Sequence, residues 1–211
     1  MYLFSRTARL QAGRTRESMA WAVGITEKVN QITSLNVGLW TTALSPGVGT
    51  LSWSTVVENL TQLEDAEAKL MVDDGYVDLV DQGAQFSSGE AVNDLVGQIV
   101  SGELDPARRP THAAVVSATL APGGFAKGVE AGIEIADRAT KLSGLPTVFM
   151  IASTGEYGGV AWLTTASSLE ELERGEQATN GDPEFIRYID EVASKVYQAQ
   201  GTTQTLFRRL V

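Results

Sequence analysis

The feature that most constrains the fold of this chain is an internal duplication. Residues 1 to about 100 and residues 111 to 211 read as two copies of one small module. Matched residues lie 110 positions apart early in each copy and 109 apart later. The matched pairs are Leu10/Leu120, Gly13/Gly123, Leu39/Phe149, Trp53/Trp162, Leu60/Leu169, Leu63/Leu172 and Tyr76/Phe185. An offset that stays nearly constant over most of a module predicts two equivalent units in tandem.

Hydrophobic periodicity and turn residues predict the same order of elements, βαββαβ, in both copies. The predicted elements of the first copy span 2–11, 14–33, 37–44, 51–53, 60–81 and 92–100; those of the second span 111–121, 125–142, 147–154, 160–162, 168–198 and 202–211. Clusters of Asp, Gly and Pro predict a break in the second helix at 73–75 and at 181–183. Residues 101–110, rich in Gly and Pro, are predicted to be a surface linker.

This order is the ferredoxin-like arrangement, an α+β fold in which helices cover one face of a four-stranded sheet. The other face also needs cover. Two copies in one chain can bury these faces against each other, which removes apolar surface at about 25 cal/mol per Å². We therefore expect two ferredoxin-like modules, 1–100 and 111–211, that close a barrel-like core within one chain.

Composition excludes several classes of function. The chain has no cysteine, which rules out disulfides and thiolate chemistry. Its net charge of −10 disfavours nucleic acid and anionic membranes as partners. No apolar run reaches the roughly 20 residues that a membrane-spanning helix needs, and the first residues lack the pattern of a signal peptide. A cytoplasmic location is therefore expected.

Several motifs resemble those of the dimeric α+β barrel superfamily, in particular its NIPSNAP-like and antibiotic-biosynthesis-monooxygenase-like branches. The resemblance rests on the third-strand tryptophans, on the leucine–glutamate pattern of the following helix and on an acidic break before an aromatic residue. These residues are Trp53, Trp162, Leu60, Leu63, Glu64, Leu169, Leu172, Glu173 and the segment 182–185. The resemblance implies an intramolecular version of a barrel that two chains form in most relatives. It also implies that haem is disfavoured, because haem-binding members generally supply a histidine from elsewhere in the module.

No catalytic or cofactor motif stands out from the residues themselves. His112 is the only histidine; it could act as a base or ligand, but an ordinary structural role is the preferred interpretation because no orienting partner is marked. Without a histidine pair, and with carboxylates on helix faces, no metal site is predicted. The glycine-rich turns lack the lysine and hydroxyl of a phosphate loop. We therefore predict neither a cofactor nor a metal.

A pocket that binds a small, partly apolar ligand is the most informative possibility. The first strand alternates between apolar residues and a more polar set that includes Ser5, Thr7 and Arg9, and the polar set is expected to face the other copy. Such a mixed interior suits a small ligand. The candidate ligand-binding residues are Arg9, Trp40, Trp53, Trp162 and His112. A large aromatic residue in this position can equally belong to the core.

The first helix of copy one carries no charge from Ser18 to Thr26, unlike its counterpart in copy two. Trp21 and Ile25 lie off the core stripe and make a second apolar face. We expect either that this face contacts another chain in a homo-oligomer or that the linker or C-terminus covers it.

Two functional hypotheses follow. The preferred one is a non-catalytic protein that binds a small molecule or serves as an oligomer subunit, because no acid–base pair can be assigned. The alternative, implied by the monooxygenase-like resemblance, is a cofactor-independent monooxygenase or isomerase. In that alternative Arg9 would stabilise an anionic substrate oxygen, and Trp53 or Trp162 would stack on the substrate ring.

Overall fold

The computed structural model describes residues 1–105, 108–198 and 201–211. Within them the fold is mixed α/β, with eight strands, six α-helices and a short 3₁₀-helix at Ala84–Phe86. The strands are β1 (Tyr2–Arg9), β2 (Gly38–Thr42), β3 (Thr50–Val57), β4 (Asn93–Ser101), β5 (His112–Thr119), β6 (Thr147–Ala152), β7 (Gly159–Ala166) and β8 (Thr203–Arg209). The helices are α1 (Thr15–Thr33), α2 (Leu60–Met71), α3 (Asp74–Gly83), α4 (Phe125–Ser143), α5 (Leu169–Asn180) and α6 (Pro183–Val196).

The second predicted helix of each copy is divided in two, as the acidic breaks indicated. Asp73 begins α3 and Asp182 begins α6, because each side chain accepts a hydrogen bond from the backbone N–H three residues later. Asn59 and Ser168 cap α2 and α5 in the same way. Equivalent sequence positions therefore stop and restart the chain in both copies.

The strands form a closed barrel with the hydrogen-bonded order β1-β3-β2-β8-β5-β7-β6-β4. The chain divides into two compact units. Unit 1 contains 1–96 and 208–211, and unit 2 contains 97–207. These boundaries differ from the repeat boundaries, because the end of β4 pairs with β6 and the last residues pair with β2.

Unit 1 has its core between one face of its sheet and α1. Leu39 of β2 and Leu51 of β3 pack against Ala22 of α1, and all three are almost completely buried. The antiparallel register places Arg6 opposite Trp53 and Ala8 opposite Leu51, so these side chains share the helix-covered face. Successive strand residues point to opposite faces. The other face of β1 therefore carries Ser5, Thr7 and Arg9, as the alternation predicted.

Unit 2 repeats this core with larger aromatic residues. Phe149 of β6 is completely buried and packs on Trp162 of β7, with ring centroids 5.3 Å apart. Helix α4 approaches the sheet closely through glycines: a Cβ added at Gly132 would lie 2.3 Å from the Phe149 ring. A glycine is therefore required at position 132 by the close approach of helix and sheet.

Backbone hydrogen bonds also recur between the copies. Leu10 N–H donates to the Gly49 carbonyl and Leu120 N–H donates to the Gly158 carbonyl, both at 2.9 Å. These contacts fix the end of β1 against the β2–β3 turn and the end of β5 against the β6–β7 turn. The sequence repeat therefore extends to individual contacts.

Candidate functional site

Two of the predicted ligand-binding tryptophans lie in the helix-covered cores. The Trp53 indole donates to Thr26 Oγ1 of α1 at 2.9 Å, and the Trp162 indole donates to the Gly132 carbonyl of α4 at 2.9 Å. Both rings therefore fill the space between sheet and helix in their own unit. The structure separates Trp53 from Arg9 and Trp40, which lie on the opposite face of the same sheet.

The predicted anion-stabilising residue, Arg9, forms an ion pair with Glu90 at 3.0 Å, and both side chains are largely exposed. A neighbouring arginine on the other face, Arg6, makes two hydrogen bonds of 2.7 Å to the carboxylate of Asp94. The hydrogen bond to Asp94 raises the pKa of Arg6, against the opposing effect of burial. Both arginines of β1 are therefore engaged by acidic side chains.

His112 begins β5 in unit 2 and makes a local hydrogen-bonded chain. Thr111 Oγ1 donates to the Ser167 carbonyl at 2.6 Å and lies 2.9 Å from His112 Nδ1. Because a hydroxyl has one proton, Thr111 must accept from His112 Nδ1–H in this arrangement. His112 does not share a unit with Arg9, Trp40 or Trp53.

The predicted oligomer-interface residues are covered within unit 1. The Trp21 indole donates to the Leu79 carbonyl of α3 at 2.7 Å, and its ring lies 5.7 Å from that of Phe86. A Cβ at Gly83 would lie 2.4 Å from the Trp21 ring, so α3 sits directly on it. Ile25 is 9% exposed. Helix α3 therefore packs on Trp21 within unit 1, and the contact of this face with another chain stays a prediction.

The face of the unit 1 sheet opposite the helices carries a row of small and polar side chains. We call this surface the polar face and define it by Ser5, Gly38, Trp40, Ser52 and Ser54. The register places Trp40 directly opposite Ser52 and Gly38 opposite Ser54. The hydroxyls of Ser5 and Ser52 lie 2.9 Å apart and hydrogen-bond to each other, and Ser52 is 5% exposed.

The Trp40 indole nitrogen is a buried hydrogen-bond donor with no acceptor. Among the side chains that the structure describes, it is the one buried polar atom without a partner. The three other tryptophans of the chain all donate to a protein oxygen. Buried donors are almost always paired, and leaving one unpaired costs about 1–3 kcal/mol. An acceptor on a ligand would give this nitrogen the hydrogen bond that the described residues do not provide.

Arg209 joins Trp40 on the polar face, with its guanidinium carbon 5.5 Å from the centre of the indole ring. Its Nε donates to the Val211 carbonyl at 2.8 Å, which fixes the plane of the guanidinium. Gly38 lies beneath both side chains: a Cβ there would stand 3.1 Å from Trp40 Nε1 and 3.3 Å from Arg209 Nη2. A larger residue at position 38 would press on both groups.

The equivalent positions of unit 2 are apolar. Gly38, Trp40 and Arg209 correspond to Val148, Met150 and Ile99, and Ser5, Ser52 and Ser54 correspond to Val115, Ala161 and Leu163. Ile99 pairs with Met150, and both Val148 and Met150 are buried. The two copies therefore differ in chemistry at the same fold positions, and only unit 1 has the polar version.

Other surfaces are less suited to a site. A groove of about 810 Å³ between α4 and α6 is lined by many charged side chains, and it contains none of the predicted ligand-binding residues. Within the described part of the chain, no three His, Cys, Asp or Glu side chains group as metal ligands. The described helices also include none with the length and apolar character needed to cross a membrane.

No protein-family model and no curated protein matches the sequence. Solved structures nevertheless share its fold over almost the whole chain. A "putative monooxygenase" from Fusobacterium nucleatum subsp. nucleatum aligns with a TM-score of 0.72 and 11% identity, covering 100% of this chain and 92% of its own. A protein with the same description from Lactobacillus acidophilus gives 0.66 and 10%, with coverage of 99% and 93%. An anthrone oxidase-like protein gives 0.64 and 10%, with coverage of 100% and 91%.

At 10% to 11% identity, the likeness to these structures shows a shared fold, and membership of the dimeric α+β barrel superfamily stays a prediction. Their descriptions are those of enzymes. They contradict our prediction of a non-catalytic protein. The alternative hypothesis, an enzyme, is better supported. The NIPSNAP-like branch stays a prediction.

Sequence reasoning selected Trp40 but missed Gly38 and Arg209. Gly38 was overlooked because the first glycine of a short strand resembles an ordinary strand boundary. A signal for Arg209 was present: its repeat equivalent is Ile99, so a charge replaces an apolar residue at a strand position. Comparing the two copies for polar substitutions would have found it.

Proposed function

We propose that this protein is an enzyme, a cofactor-independent monooxygenase, that oxidises a small, partly apolar substrate on the polar face of unit 1. The observation that carries the proposal is the buried Trp40 indole N–H without an acceptor, in a polar cluster that the second copy lacks. Proteins with this fold have many activities. The assignment therefore rests on this site, with the neighbours' descriptions as support.

The chemistry suits a substrate that can itself reduce oxygen. An aromatic ketone with an activated CH₂ group loses a proton to water and forms an enolate, whose negative charge is shared by carbon and oxygen. A donor aimed at that oxygen lowers the energy of the enolate. The carbanion transfers one electron to O₂, the two radicals combine, and the resulting peroxide loses water. The CH₂ group and O₂ become C=O and H₂O, so electrons balance without another reductant.

The small side chains of the polar face fit such a substrate. Gly38 and Ser54 are smaller than Val148 and Leu163, the equivalent residues of unit 2, and Ser52 is polar where unit 2 has Ala161. The Ser5–Ser52 pair can donate one further hydrogen bond, since two hydroxyls share one bond between them. We therefore place one substrate per chain, in unit 1.

Anthrone is a suitable test substrate, because it has an activated methylene and one neighbour is anthrone oxidase-like. We expect the full-length protein to consume one O₂ per anthrone and to form the quinone, measured with an oxygen electrode and by absorbance. Removing one donor to a developing oxyanion costs about 10²-fold or more in kcat, so Trp40→Phe should be slower by that factor. Met150→Leu, at the equivalent position of unit 2, serves as the matched control and should retain the wild-type rate.

The proposal fails if anthrone and other activated methylene compounds are unchanged in air. Substrate loss without oxygen uptake would instead indicate an isomerase, in which the same enolate is reprotonated at another carbon. Equal rates for Trp40→Phe and Met150→Leu would remove the site from unit 1.

We also propose that the two copies are ferredoxin-like modules that arose by duplication. The repeated caps at Asp73 and Asp182, and the repeated bonds of Leu10 and Leu120, support this description.

A further inference from the structure

We propose that the groove between α4 and α6 of unit 2 is the interface through which two copies of this chain form a two-fold symmetric dimer. The groove contains none of the residues assigned to the substrate, so the proposal does not depend on the proposed function. It also concerns a different surface from the apolar face of Trp21 and Ile25, on which the sequence predicts contact with another chain.

The groove exists because the two copies of the module differ at one helix position. In unit 1 the Trp21 indole donates to the Leu79 carbonyl of α3 and its ring lies against Gly83, so it fills the gap between α1 and α3. The equivalent residue of α4, 110 positions later, is Ala131. A methyl group fills much less volume than an indole, and a groove of about 810 Å³ separates α4 from α6.

Contacts at both ends of the groove show that α4 and α6 run antiparallel. The hydroxyl of Tyr197, which follows α6, donates to the carbonyl of Gly128 in the first turns of α4 at 2.9 Å. The guanidinium carbon of Arg138, in the second half of α4, lies 4.2 Å from the centre of the Tyr188 ring in the first half of α6. The start of α4 therefore lies beside the end of α6.

The charged side chains of the groove form two layers of opposite sign. Lys127 and Lys195 make a basic layer, and Glu130 and Glu191 make an acidic layer about 5 Å further along the groove, at about 1.5 Å per helical residue. All four side chains are exposed. Within the described part of the chain, none of the four takes part in an ion pair.

This arrangement is complementary to itself. A two-fold axis perpendicular to the groove and midway between the layers places the basic layer of each copy against the acidic layer of the other. An acidic partner would meet Glu130 and Glu191, and a basic partner would meet Lys127 and Lys195, so either would face like charges. A second copy matches both layers at once, and the aliphatic stems of the four long side chains can cover apolar surface across the interface.

Sedimentation velocity of the whole chain tests the proposal. At about 0.15 M salt, the long-range repulsion between two copies of net charge −10 is screened, whereas close pairs are screened less. We expect a particle of twice the monomer mass of 22.5 kDa, with a Kd on the order of 10 µM because the interface is small. Lys127→Glu/Lys195→Glu and Glu130→Lys/Glu191→Lys each bring like charges together across the axis and should weaken the dimer by about tenfold or more.

Mixing these two double variants gives the sharpest result. The first has a groove that is acidic in both layers and the second has a groove that is basic in both, so an equimolar mixture should form a heterodimer at least as stable as the wild-type dimer. Recovery of the dimer on mixing also shows that both variants are folded. Lys69→Glu/Arg174→Glu is the matched control, because it makes the same change in net charge at exposed residues of α2 and α5 and should dimerise like the wild type.

Three results would overturn the proposal. The first is a wild-type chain that stays monomeric at concentrations on the order of 100 µM, well above the expected Kd. The second is a wild-type dimer that both groove variants form equally well, because another surface would then join the copies. The third is a mixture of the two variants that stays monomeric, which would show that the charge layers do not face each other.

Discussion

The close approach of α4 to the sheet of unit 2 makes Gly132→Ala an informative substitution. The added methyl group would lie 2.3, 2.4 and 2.8 Å from three atoms of the Phe149 ring, where ordinary contact begins near 3.4 Å. Phe149 is completely buried and packs on Trp162, so neither ring can move into solvent. Overpacking of this kind costs about 1–3 kcal/mol, whereas replacing a helical glycine by alanine gains about 1 kcal/mol.

Gly24→Ala is the matched control, because Gly24 lies inside α1 and a Cβ there meets nothing within 4 Å. This variant should gain only the stability that alanine adds to a helix in place of glycine. The difference between the two variants therefore isolates the overpacking cost of about 1–3 kcal/mol. It should appear as about 2–4 °C in Tm for each kcal/mol in a chain of this length. Thermal unfolding followed by circular dichroism measures it, and equal Tm shifts for both variants would refute the packing described for α4.

Three further substitutions test other contacts. Trp21→Ala should destabilise the protein by about 3–5 kcal/mol in urea unfolding but leave its size in native mass spectrometry unchanged; a smaller assembly would instead support the predicted oligomer interface. Tyr197→Phe removes the hydroxyl that donates to the Gly128 carbonyl and should cost about 1 kcal/mol. Burial raises the pKa of Tyr197, so wild-type stability should fall as pH rises above about 10, the unfolded value. In Tyr197→Phe this fall should be smaller, and an identical pH profile would contradict the burial of the hydroxyl. The hydrogen bond from Lys28 lowers the pKa of Asp73 in the folded protein. The ionised Asp73 therefore stabilises the fold above its unfolded pKa near 4, and this stabilisation is lost as pH falls through its lower folded pKa. The free energy of unfolding of Asp73→Asn should therefore fall less at acid pH than that of the wild type. The same dependence on acid pH in both proteins would contradict this.

The sequence predicted the order of elements because the second copy provided an independent check on each assignment. The breaks at Asp73 and Asp182 were visible for a physical reason: an acidic residue followed by glycine or proline stops one helix and caps the next. The exchange of strand ends between the units could not be predicted. It depends on hydrogen bonds between residues distant in sequence, such as Leu39 with Val211.

The faces of the tryptophans were predicted less well. Trp53 and Trp162 were predicted candidates for the pocket. In the structure, both side chains lie on the face of the sheet that a helix covers. Which residues of a strand face the helix is decided by packing against α1 and α4 rather than by the local sequence. The packing of Trp21 against α3 could not be predicted because Gly83, in a different helix, creates the space into which its ring fits.

The sequence analysis identified only part of the candidate site. Trp40 was chosen for its size and position, but its unpaired N–H is a property of three-dimensional surroundings. Arg9 was chosen as the cation because it alternates correctly on β1. Arg9 forms an ion pair with Glu90, and Arg209 is the arginine that lies over the Trp40 ring. The neighbourhood of Trp40 and Arg209 could not be predicted because the two residues are far apart in the sequence.

The most direct test of the site is an NMR measurement on protein labelled with ¹⁵N at the indole nitrogens. The chain has four tryptophans, and Trp40→Phe assigns the signal of Trp40 by its loss. On addition of anthrone in the absence of oxygen, the Trp40 indole proton should move downfield as it gains an acceptor. The indole signals of Trp21, Trp53 and Trp162, which already donate to protein oxygens, should stay in place. An unmoved Trp40 signal, or a shift confined to another tryptophan, would contradict the assignment of the site to the polar face of unit 1.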